Sequence, residues 1–339
     1  MYPLIPPLPD TLQVEVTSAC NLRCAMCLVR YKPPVNRLTG AMGMDMFRAL
    51  LADLPRLRQL TLQGLGEPLL SPHLLDMVRL AHGRGARVGF NSNATLLTRK
   101  RAREFIDAGL DWLHVSLDGA DAETFEAIRD GATFDTVVGN LAGLVAAKQD
   151  AGSDTPWVRV VFVAMRRNVA QLPDLVRLLA GVGVSELRVQ NLSHTFDDTD
   201  PSGAYGEIRE YAAEQALWTA PDLELAERSF AAALAAADAA GLTLRLPRLA
   251  PAPAPAAEAA PGRPGCTWPW ESAYVTSAGV VQPCCMVMGD DRVALGRLDE
   301  AGFAEIWAGP AYQEFRRKLS HGQRPPTVCE GCSLYRGTF

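Results

Sequence analysis

The sequence lacks both a long apolar run and an excess of basic residues. No stretch reaches the roughly 20 consecutive apolar residues that a membrane-spanning helix needs. Residues 1–10 are rich in proline and lack the charged flank and apolar run of a signal peptide. The formal net charge is −5, so the chain offers no basic field for nucleic acid. These absences predict a soluble, cytoplasmic protein that binds neither membranes nor nucleic acid.

Cysteine is also absent from the whole middle of the chain. The eight cysteines fall into one group near each end: Cys20, Cys24 and Cys27, then Cys266, Cys284, Cys285, Cys329 and Cys332. Disulfide scaffolds are usually short and secreted, whereas clustered thiols in a reduced cytosol more often bind metal or carry redox chemistry. The five histidines are scattered and suggest no metal triad.

The first 192 residues alternate between strand-like and helix-like segments. The predicted strands are residues 12–16, 59–63, 87–90, 112–117, 157–165 and 186–192. The predicted helices are residues 45–54, 72–82, 99–108, 121–128, 134–147 and 172–181. Six βα units of this spacing predict parallel strands with helices outside them. We therefore expect an α/β fold, a partial (β/α)6 barrel followed by a small C-terminal iron–sulfur module.

The pattern changes after residue 192, which defines three predicted domains. Residues 1–192 form the partial barrel, and residues 193–265 form a helical connection with helices at 208–216 and 223–240. That connection ends in a Pro/Ala-rich linker at 250–265. Residues 266–339 hold five cysteines and a short strand pair around Gly279. Because few apolar residues remain there, we expect this module to fold around metal rather than a core.

The first cysteine group has the spacing C-x3-C-x2-C, directly after the first predicted strand. Three thiolates on one tight loop, Cys20, Cys24 and Cys27, can ligate three irons of a cubane cluster. The fourth iron then keeps an open corner for a small chelating molecule, as catalytic zinc sites keep an open position. The alternative is a partial zinc site on Cys24 and Cys27, which would leave Cys20 unexplained.

This motif, on the loop after the first strand of a βα barrel, resembles the radical S-adenosylmethionine superfamily. The resemblance covers residues 10–192 and continues into the C-terminal module. It implies that the methionyl amine and carboxylate of S-adenosylmethionine chelate the open iron of a 4Fe–4S cluster. One electron then breaks the sulfonium bond to give a 5′-deoxyadenosyl radical that abstracts hydrogen. An electron donor such as flavodoxin or ferredoxin is implied as a partner.

Two further motifs carry the resemblance along the barrel. Gly66, Glu67 and Pro68, after the second strand, resemble the family's Gly-Glu-Pro motif, which binds the methionyl ammonium. The segment containing Asn93 resembles the family's Thr-Asn-Gly-x-Leu-Leu stretch, with Ala94 in place of glycine. The alternative interpretation of this segment is a turn in which Glu67 caps a helix.

Four more residues are implied as cofactor contacts by their positions. Ser116 and Asp118 lie at the next strand end, whose serine contacts the ribose or methionyl part. Arg129 matches an arginine that pairs with the methionyl carboxylate, and Met26 lies where relatives often place an aromatic ring over the adenine. The alternatives are a simple turn at Asp118 and a solvated helix-end charge at Arg129.

The second cysteine group predicts a further cluster. Four thiolates, Cys266, Cys284, Cys329 and Cys332, could fully ligate a second 4Fe–4S cluster. The arrangement resembles the Twitch module, the short form of the SPASM extension; the alternative is structural zinc on the same thiolates. Cys285 is then either a buried small residue or, by resemblance to sulfatase-maturing enzymes with an acid there, a thiol that faces the active site.

The single auxiliary cluster determines the predicted reaction. It resembles the radical dehydrogenases that oxidise a secondary hydroxyl of a sugar or aminocyclitol to a ketone in antibiotic biosynthesis, with the auxiliary cluster as electron acceptor. One alternative is a radical epimerase with Cys285 as the hydrogen donor. A second is a peptide-modifying SPASM maturase. A non-catalytic iron–sulfur electron carrier would leave the Gly-Glu-Pro motif and the barrel unexplained.

Candidate substrate contacts follow from position and charge. Glu271, Asp290 and Asp291 flank the auxiliary cysteines and would suit an amine-bearing substrate. Gln190 and Asn191 end the sixth strand, where barrel active sites lie. Only 19 residues precede Cys20, so we expect any leader-binding domain of a peptide-modifying enzyme to be a separate protein.

Overall fold

The computed structural model describes residues 2–31, 40–203, 205–218, 223–249, 266–289, 291–320 and 325–339. Its centre is one sheet with the strand order β10-β9-β8-β1-β2-β3-β4-β5-β6-β7. The strands are β1 Thr11–Val14, β2 Gln59–Leu62, β3 Arg87–Ser92, β4 Trp112–Ser116, β5 Trp157–Val163, β6 Glu186–Gln190, β7 Thr243–Arg245, β8 Tyr274–Val275, β9 Val280–Gln282 and β10 Gly296–Arg297.

The six predicted strands are confirmed, and they pair in parallel in sequence order. The helices are α1 Leu28–Tyr31, α2 Met44–Ala52, α3 Leu74–Gly83, α4 Arg99–Asp107, α5 Ala122–Ile128, α6 Phe134–Ala151, α7 Leu172–Val182, α8 Gly206–Gln215, α9 Glu224–Ala240, α10 Trp268–Glu271, α11 Phe303–Ala308, α12 Pro310–Ser320, α13 Thr327–Glu330 and α14 Ser333–Arg336. This succession confirms the partial (β/α)6 barrel. No helix in the described ranges is long and apolar enough to cross a membrane.

The barrel strands have two different faces. Leu12, Leu60 and Val88 point to the outer layer of helices and are fully buried in the main apolar core. Their neighbours Gln13 and Thr61 line a cavity on the inner face instead. Because successive side chains of a strand point to opposite faces, this alternation gives the sheet an apolar outer side and a polar inner side.

The chain between the barrel and the C-terminal module is largely helical, as predicted. Helices α8 and α9 lie within one or two residues of the predicted ranges, and α9 leads into β7, which extends the sheet beside β6. The predicted linker, residues 250–265, lies outside the described residues.

The C-terminal module shares the sheet of the barrel. Strand β8 pairs in parallel with β1, with Tyr274 opposite Gln13, and β9 and β10 continue from it in antiparallel order around the turn at Gly279. The expectation that too few apolar residues remain for a core is wrong. A buried cluster forms there from residues spread over more than 50 positions: Trp270, Val287, Phe315, Leu319 and Val328.

A buried arginine on α12 binds the module to the N-terminal segment. Arg316 has no exposed surface, and it donates hydrogen bonds to the carbonyls of Pro269 (2.8 Å), Leu4 (2.9 Å) and Trp307 (2.8 Å). Its guanidinium carbon also lies 4.2 Å from the centroid of the Trp307 ring. A planar fork of donors suits this arrangement of carbonyls, whereas a lysine ammonium does not.

We predict that Arg316→Lys destabilises the fold although it keeps the charge. Several buried carbonyls would lose a donor, at a cost of about 2–4 kcal/mol in the free energy of unfolding. The matched control is Arg317→Lys, at the partly exposed neighbour that pairs with Glu314, which should change stability by less than about 0.5 kcal/mol. Melting temperatures compared at equal iron content test this, and equal values for the two variants would contradict it.

Candidate functional site

The first cysteine loop is fixed to the end of helix α5 by backbone hydrogen bonds. Arg23 N donates to Asp130 O (2.9 Å), and Ala25 N donates to Ile128 O (2.8 Å). The three thiols are close enough to affect each other electrostatically. Burial is the largest cause that raises the pKa of Cys20 to about 11 and that of Cys27 to about 12, and the charge of Cys24 contributes to both. A bound metal cation would deprotonate these thiols and stabilise the thiolates despite their burial.

A buried ion pair lies behind this loop. Arg129 Nε and Nη2 each lie 2.6 Å from Asp118 Oδ2, and Arg129 Nη1 lies 3.8 Å from Cys24 Sγ. Asp118 is completely buried, and its Oδ1 accepts a hydrogen bond from Val163 N (2.7 Å). Burial lowers the pKa of Arg129, but the charges of Asp118 and Cys24 raise it more, so it stays protonated. The structure therefore joins Asp118 and Arg129 to each other and to the cysteine loop.

The Gly-Glu-Pro segment packs against the start of the cysteine loop. A Cβ atom at Gly66 would lie 2.2 Å from Thr17 O, so this close approach requires glycine. Glu67 N donates to Ala19 O (2.8 Å), and Pro68 begins a 3₁₀ turn, Pro68–Leu70. The segment and the cysteines are thus held together by the backbone.

Most hydrogen-bond acceptor positions of the Glu67 carboxylate are occupied by donors of the protein itself. Its Oε1 accepts hydrogen bonds from Ser92 Oγ (2.8 Å) and Leu69 N (3.1 Å), and its Oε2 accepts one from Asn93 N (2.7 Å). Burial raises the pKa of Glu67, and these donors act against that rise. A carboxylate has about four acceptor positions, so one position on Oε2 is left for a further donor.

Asn93 ties the end of β3 to the cysteine loop. Its Nδ2 donates to Asn21 Oδ1 (3.0 Å), and Asn21 Nδ2 donates to Thr95 Oγ1 (2.8 Å). Ala94, between Asn93 and Thr95 in the sequence, has a backbone φ of +58°, in the left-handed region where glycine is favoured. This backbone conformation explains why the resembling motif has glycine there. Sequence reasoning missed Ser92 and Asn21 as parts of this network.

The remaining predicted cofactor residues lie at the same end of the barrel. Ser116 ends β4 and is half-buried, and Met26 is half-buried within the cysteine loop, in contact with the main core. All of these residues follow the carboxyl ends of parallel strands, where the active sites of barrels are built. Three thiols on one loop, with a guanidinium against one of them, fit a cluster held at three corners.

The second cysteine group comes together from three separate segments. The charges of Cys285, Cys332, Cys266 and Cys329 all raise the pKa of Cys284, although burial raises it most. The Cys329–Cys332 turn is held to the loop after β6, because Thr195 N donates to Gly331 O (3.0 Å) and Ser333 N donates to Ser193 O (3.1 Å). The four predicted auxiliary ligands are therefore neighbours.

Within the described ranges, no three His, Cys, Asp or Glu side chains are placed to hold one metal ion. The sulfurs around one zinc lie about 3.8 Å apart, from a Zn–S bond of about 2.3 Å in a tetrahedron. The ligands of a cubane bind separate iron corners and lie farther apart.

A cavity of about 500 Å³ lies inside the barrel. Its walls include inward-facing side chains of every barrel strand: Gln13, Thr61, Asn91, His114, Arg159, Arg188 and Gln190. Cys285 and Tyr274 line it from the C-terminal module. Cys285 thus faces the barrel interior, as one of the sequence interpretations required, and burial raises the pKa of its thiol to about 12.

The other predicted substrate contacts have different surroundings. Gln190 lines the cavity, but Asn191 points away from it and donates hydrogen bonds to Arg248 O (2.8 Å) and Thr338 O (2.6 Å). Asp291 accepts a hydrogen bond from Tyr205 OH (2.9 Å), and Glu271 is exposed on α10, so neither lines the cavity. Asp290 lies outside the described residues.

Glu15 is a buried carboxylate that sequence reasoning missed. Its Oε2 accepts hydrogen bonds from Leu65 N (3.0 Å) and Tyr274 OH (2.9 Å), and its Oε1 accepts one from Ser277 Oγ (2.9 Å). One side chain on the loop before the cysteines thus joins the Gly-Glu-Pro segment to the C-terminal module. The signal in the sequence was Glu15 itself, an acidic residue between Val14 and Val16 at the end of the first predicted strand.

Several curated proteins are similar in sequence. A tungsten-containing aldehyde ferredoxin oxidoreductase cofactor-modifying protein of Pyrococcus furiosus is 34% identical over 188 residues, 53% of this chain and 51% of that protein. The mycofactocin maturase MftC of Mycobacterium ulcerans is 27% identical over 338 residues, 96% of this chain and 81% of that protein. The chain spans about half the length of the Pyrococcus relative.

Solved structures of two enzymes share the fold. SuiB of Streptococcus suis bound to the precursor peptide SuiA aligns with a TM-score of 0.67 and 14% identity, over 97% of this chain and 71% of that one. BtrN in complex with AdoMet and 2-DOIA aligns with a TM-score of 0.51 and 20% identity, over 93% and 88%.

Two family models match the chain in succession. Residues 14–179 match the radical SAM superfamily, and residues 266–333 match SPASM, an iron–sulfur cluster-binding domain. The first domain implies a 4Fe–4S cluster and S-adenosylmethionine, and the second implies additional iron–sulfur clusters. The chain therefore carries a radical S-adenosylmethionine domain with the partial-barrel α/β fold of that superfamily, followed by a SPASM domain.

Proposed function

We propose that this chain is a radical S-adenosylmethionine enzyme that modifies a peptide. One observation carries the proposal: the similarity to mycofactocin maturase extends over 96% of the chain, so it includes both the barrel and the C-terminal module. A match to the radical domain alone would be compatible with many reactions, because that domain supplies only the shared radical chemistry.

The lining of the barrel cavity supports a peptide substrate. Five residues with side-chain amides line it: Gln13, Gln59, Gln63, Asn91 and Gln190. The buried Oδ1 atom of Asn91 has no hydrogen-bond partner in the described part of the chain, so it is an acceptor ready for an N–H group. A volume of about 500 Å³ lies within the usual range of ligand sites. Side-chain amides pair well with the alternating donors and acceptors of a peptide backbone.

The relatives favour this alternative over the oxidation of a sugar or aminocyclitol hydroxyl, which sequence analysis put first. The likeness to BtrN has 20% identity and supports the shared fold only. Of the carboxylates that were expected to hold an amine, the two described ones, Glu271 and Asp291, do not line the cavity.

We assign the residues as follows. Cys20, Cys24 and Cys27 would hold the catalytic cluster, and the bound cofactors would supply a hydrogen-abstracting radical. Glu67, held by Ser92 and Asn93, shapes a pocket with one acceptor position left for the methionyl ammonium.

The ion pair and the neighbouring residues have supporting roles in this assignment. Arg129 places a positive charge against Cys24, and Asp118 fixes its direction. Ser116 and Met26 are proposed as contacts of the ribose or methionyl part and of the adenine, respectively. Cys266, Cys284, Cys329 and Cys332 would hold the auxiliary cluster. Cys285 lines the cavity, and we propose it as a contact of the substrate.

We predict that a peptide, and not a carbohydrate, drives turnover. Anaerobically prepared protein with reductant and S-adenosylmethionine is incubated with short peptides encoded beside its gene, and in parallel with sugars and aminocyclitols. Formation of 5′-deoxyadenosine and a change in peptide mass should occur together in the peptide arm. The Cys24→Ala variant, which lacks one predicted ligand, is the control and should form neither product. Turnover with a sugar or aminocyclitol and with no peptide would contradict the proposal.

We also predict about eight irons per chain in the reconstituted protein. Cys24→Ala and Cys284→Ala should each retain about four, because each removes a ligand of a different cluster. Cys285→Ala is the matched control beside Cys284 and should retain about eight. Iron and sulfide analysis measures all four proteins. A loss of about four irons in Cys285→Ala would show that the auxiliary ligands are assigned wrongly.

A further inference from the structure

The inner face of strands β5 to β7 carries more positive than negative charge. Glu186 Oε1 accepts hydrogen bonds from Arg159 Nε (2.9 Å) and Arg245 Nε (2.9 Å). One carboxylate is thus shared by two guanidinium groups. Arg188, on β6 between them, forms no ion pair within the described ranges; its guanidinium carbon lies 5.6 Å from the centroid of the Phe339 ring. Three arginines and one glutamate leave an excess of two positive charges.

The nearby histidine does not alter this balance. His114 Nε2 lies 3.5 Å from Arg159 Nη1, and burial together with the charges of Arg159 and Arg188 lowers the pKa of His114 to about 3. His114 is therefore neutral at physiological pH. Burial, followed by the charges of Arg159 and Arg245, also lowers the pKa of Arg188. An anion beside Arg188 would offset the cost of burying its positive charge and the repulsion from Arg159 and Arg245.

Arg188 and Asn91 face the same cavity. In the sheet register Asn91 lies opposite His114, and His114 lies opposite Arg159. Within the described residues, the lining therefore offers a cation without a carboxylate on β6 and, three strands away on β3, a buried amide oxygen without a donor. A guanidinium fork matches a carboxylate through two parallel hydrogen bonds. The amide oxygen needs an N–H group.

We propose that Arg188 binds a carboxylate of the substrate inside the barrel, while Asn91 accepts a hydrogen bond from an amide farther along the substrate. The proposal rests on the proposed function in taking the substrate to be a peptide. The carboxylate belongs either to the peptide C-terminus or to an acidic side chain. Arg188 lies two residues before Gln190, which ends β6. An anchored carboxylate would therefore place the neighbouring peptide residues towards the strand ends, where the cysteine loop lies.

Binding of three synthetic peptide mixtures tests the proposal. All are short, acetylated at the N-terminus and randomised without charged residues. The first has a free C-terminal carboxylate, the second a C-terminal carboxamide, and the third a carboxamide and one internal aspartate. Retention is measured on the anaerobic holoenzyme with S-adenosylmethionine and no reductant. The first or the third mixture should bind more tightly than the second, by about ten- to hundredfold. Whichever binds identifies the source of the carboxylate.

Substitutions test whether the preference for carboxylate-bearing peptides depends on Arg188. Arg188→Ala should abolish it, and Arg188→Lys, which keeps the charge but not the fork, should retain part of it. The control Arg79→Ala removes an exposed arginine of α3 and should leave the preference unchanged. Iron content and melting temperature show whether each variant is folded. Equal retention of all mixtures by the wild type overturns the proposal, as does a preference that survives in Arg188→Ala. Displacement by inorganic phosphate without any peptide preference would also overturn it.

Failure of this inference can be told apart from failure of the proposed function, because the binding assay involves no turnover. A carboxylate preference that depends on Arg188, without any peptide modification, would support the anion site and reject the maturase. A peptide modified equally well as the acid and as the amide would support the maturase and reject the anion site.

Discussion

The buried ion pair between Asp118 and Arg129 is the interaction on which the arrangement of the site depends. Asp118 accepts hydrogen bonds from Arg129 and from Val163 N, and Arg129 touches Cys24 Sγ. The pair therefore joins the ends of β4 and β5 to the cysteine loop, with Asp118 fully buried and Arg129 largely buried. Two opposite charges at this depth stabilise each other, and removal of either would leave the other buried and unpaired. The cysteine loop is consequently placed by the barrel and not by its own sequence alone.

The C-terminal module depends on the barrel in the same way. Its strand β8 extends the barrel sheet beside β1, and Tyr274 and Ser277 donate to Glu15, which also accepts a hydrogen bond from Leu65 N. The segment before the Gly-Glu-Pro motif and the strand pair of the C-terminal module are thus connected through one carboxylate. Cys285 and Tyr274 close the barrel cavity from this side. The cavity belongs to both domains, which explains why similarity over the whole chain is more informative about the substrate than similarity over the radical domain.

Periodicity was sufficient to predict the six βα units, and cysteine spacing singled out the loop after β1, because both signals are local. The polar inner face was missed although its signal was present. In β6, Glu186, Arg188 and Gln190 alternate with Leu187 and Val189, and period two separates the two faces of a strand. Pairings across the fold had no such local signal. The partners of Arg129 and Glu15 are set by which strand ends meet, and sequence spacing does not reveal that. The core of the C-terminal module was underestimated for the same reason, since its members are spread between Trp270 and Val328.

The central claim is that Cys20, Cys24 and Cys27 hold a cubane with one iron open to S-adenosylmethionine. Electron paramagnetic resonance of the reduced, oxygen-free Cys284→Ala protein tests it most directly, because this variant leaves only the N-terminal cluster to be observed. The account predicts a reduced 4Fe–4S signal whose g-values and line shape change when S-adenosylmethionine is added. A protein without that signal, or with a signal that S-adenosylmethionine does not alter, would contradict it.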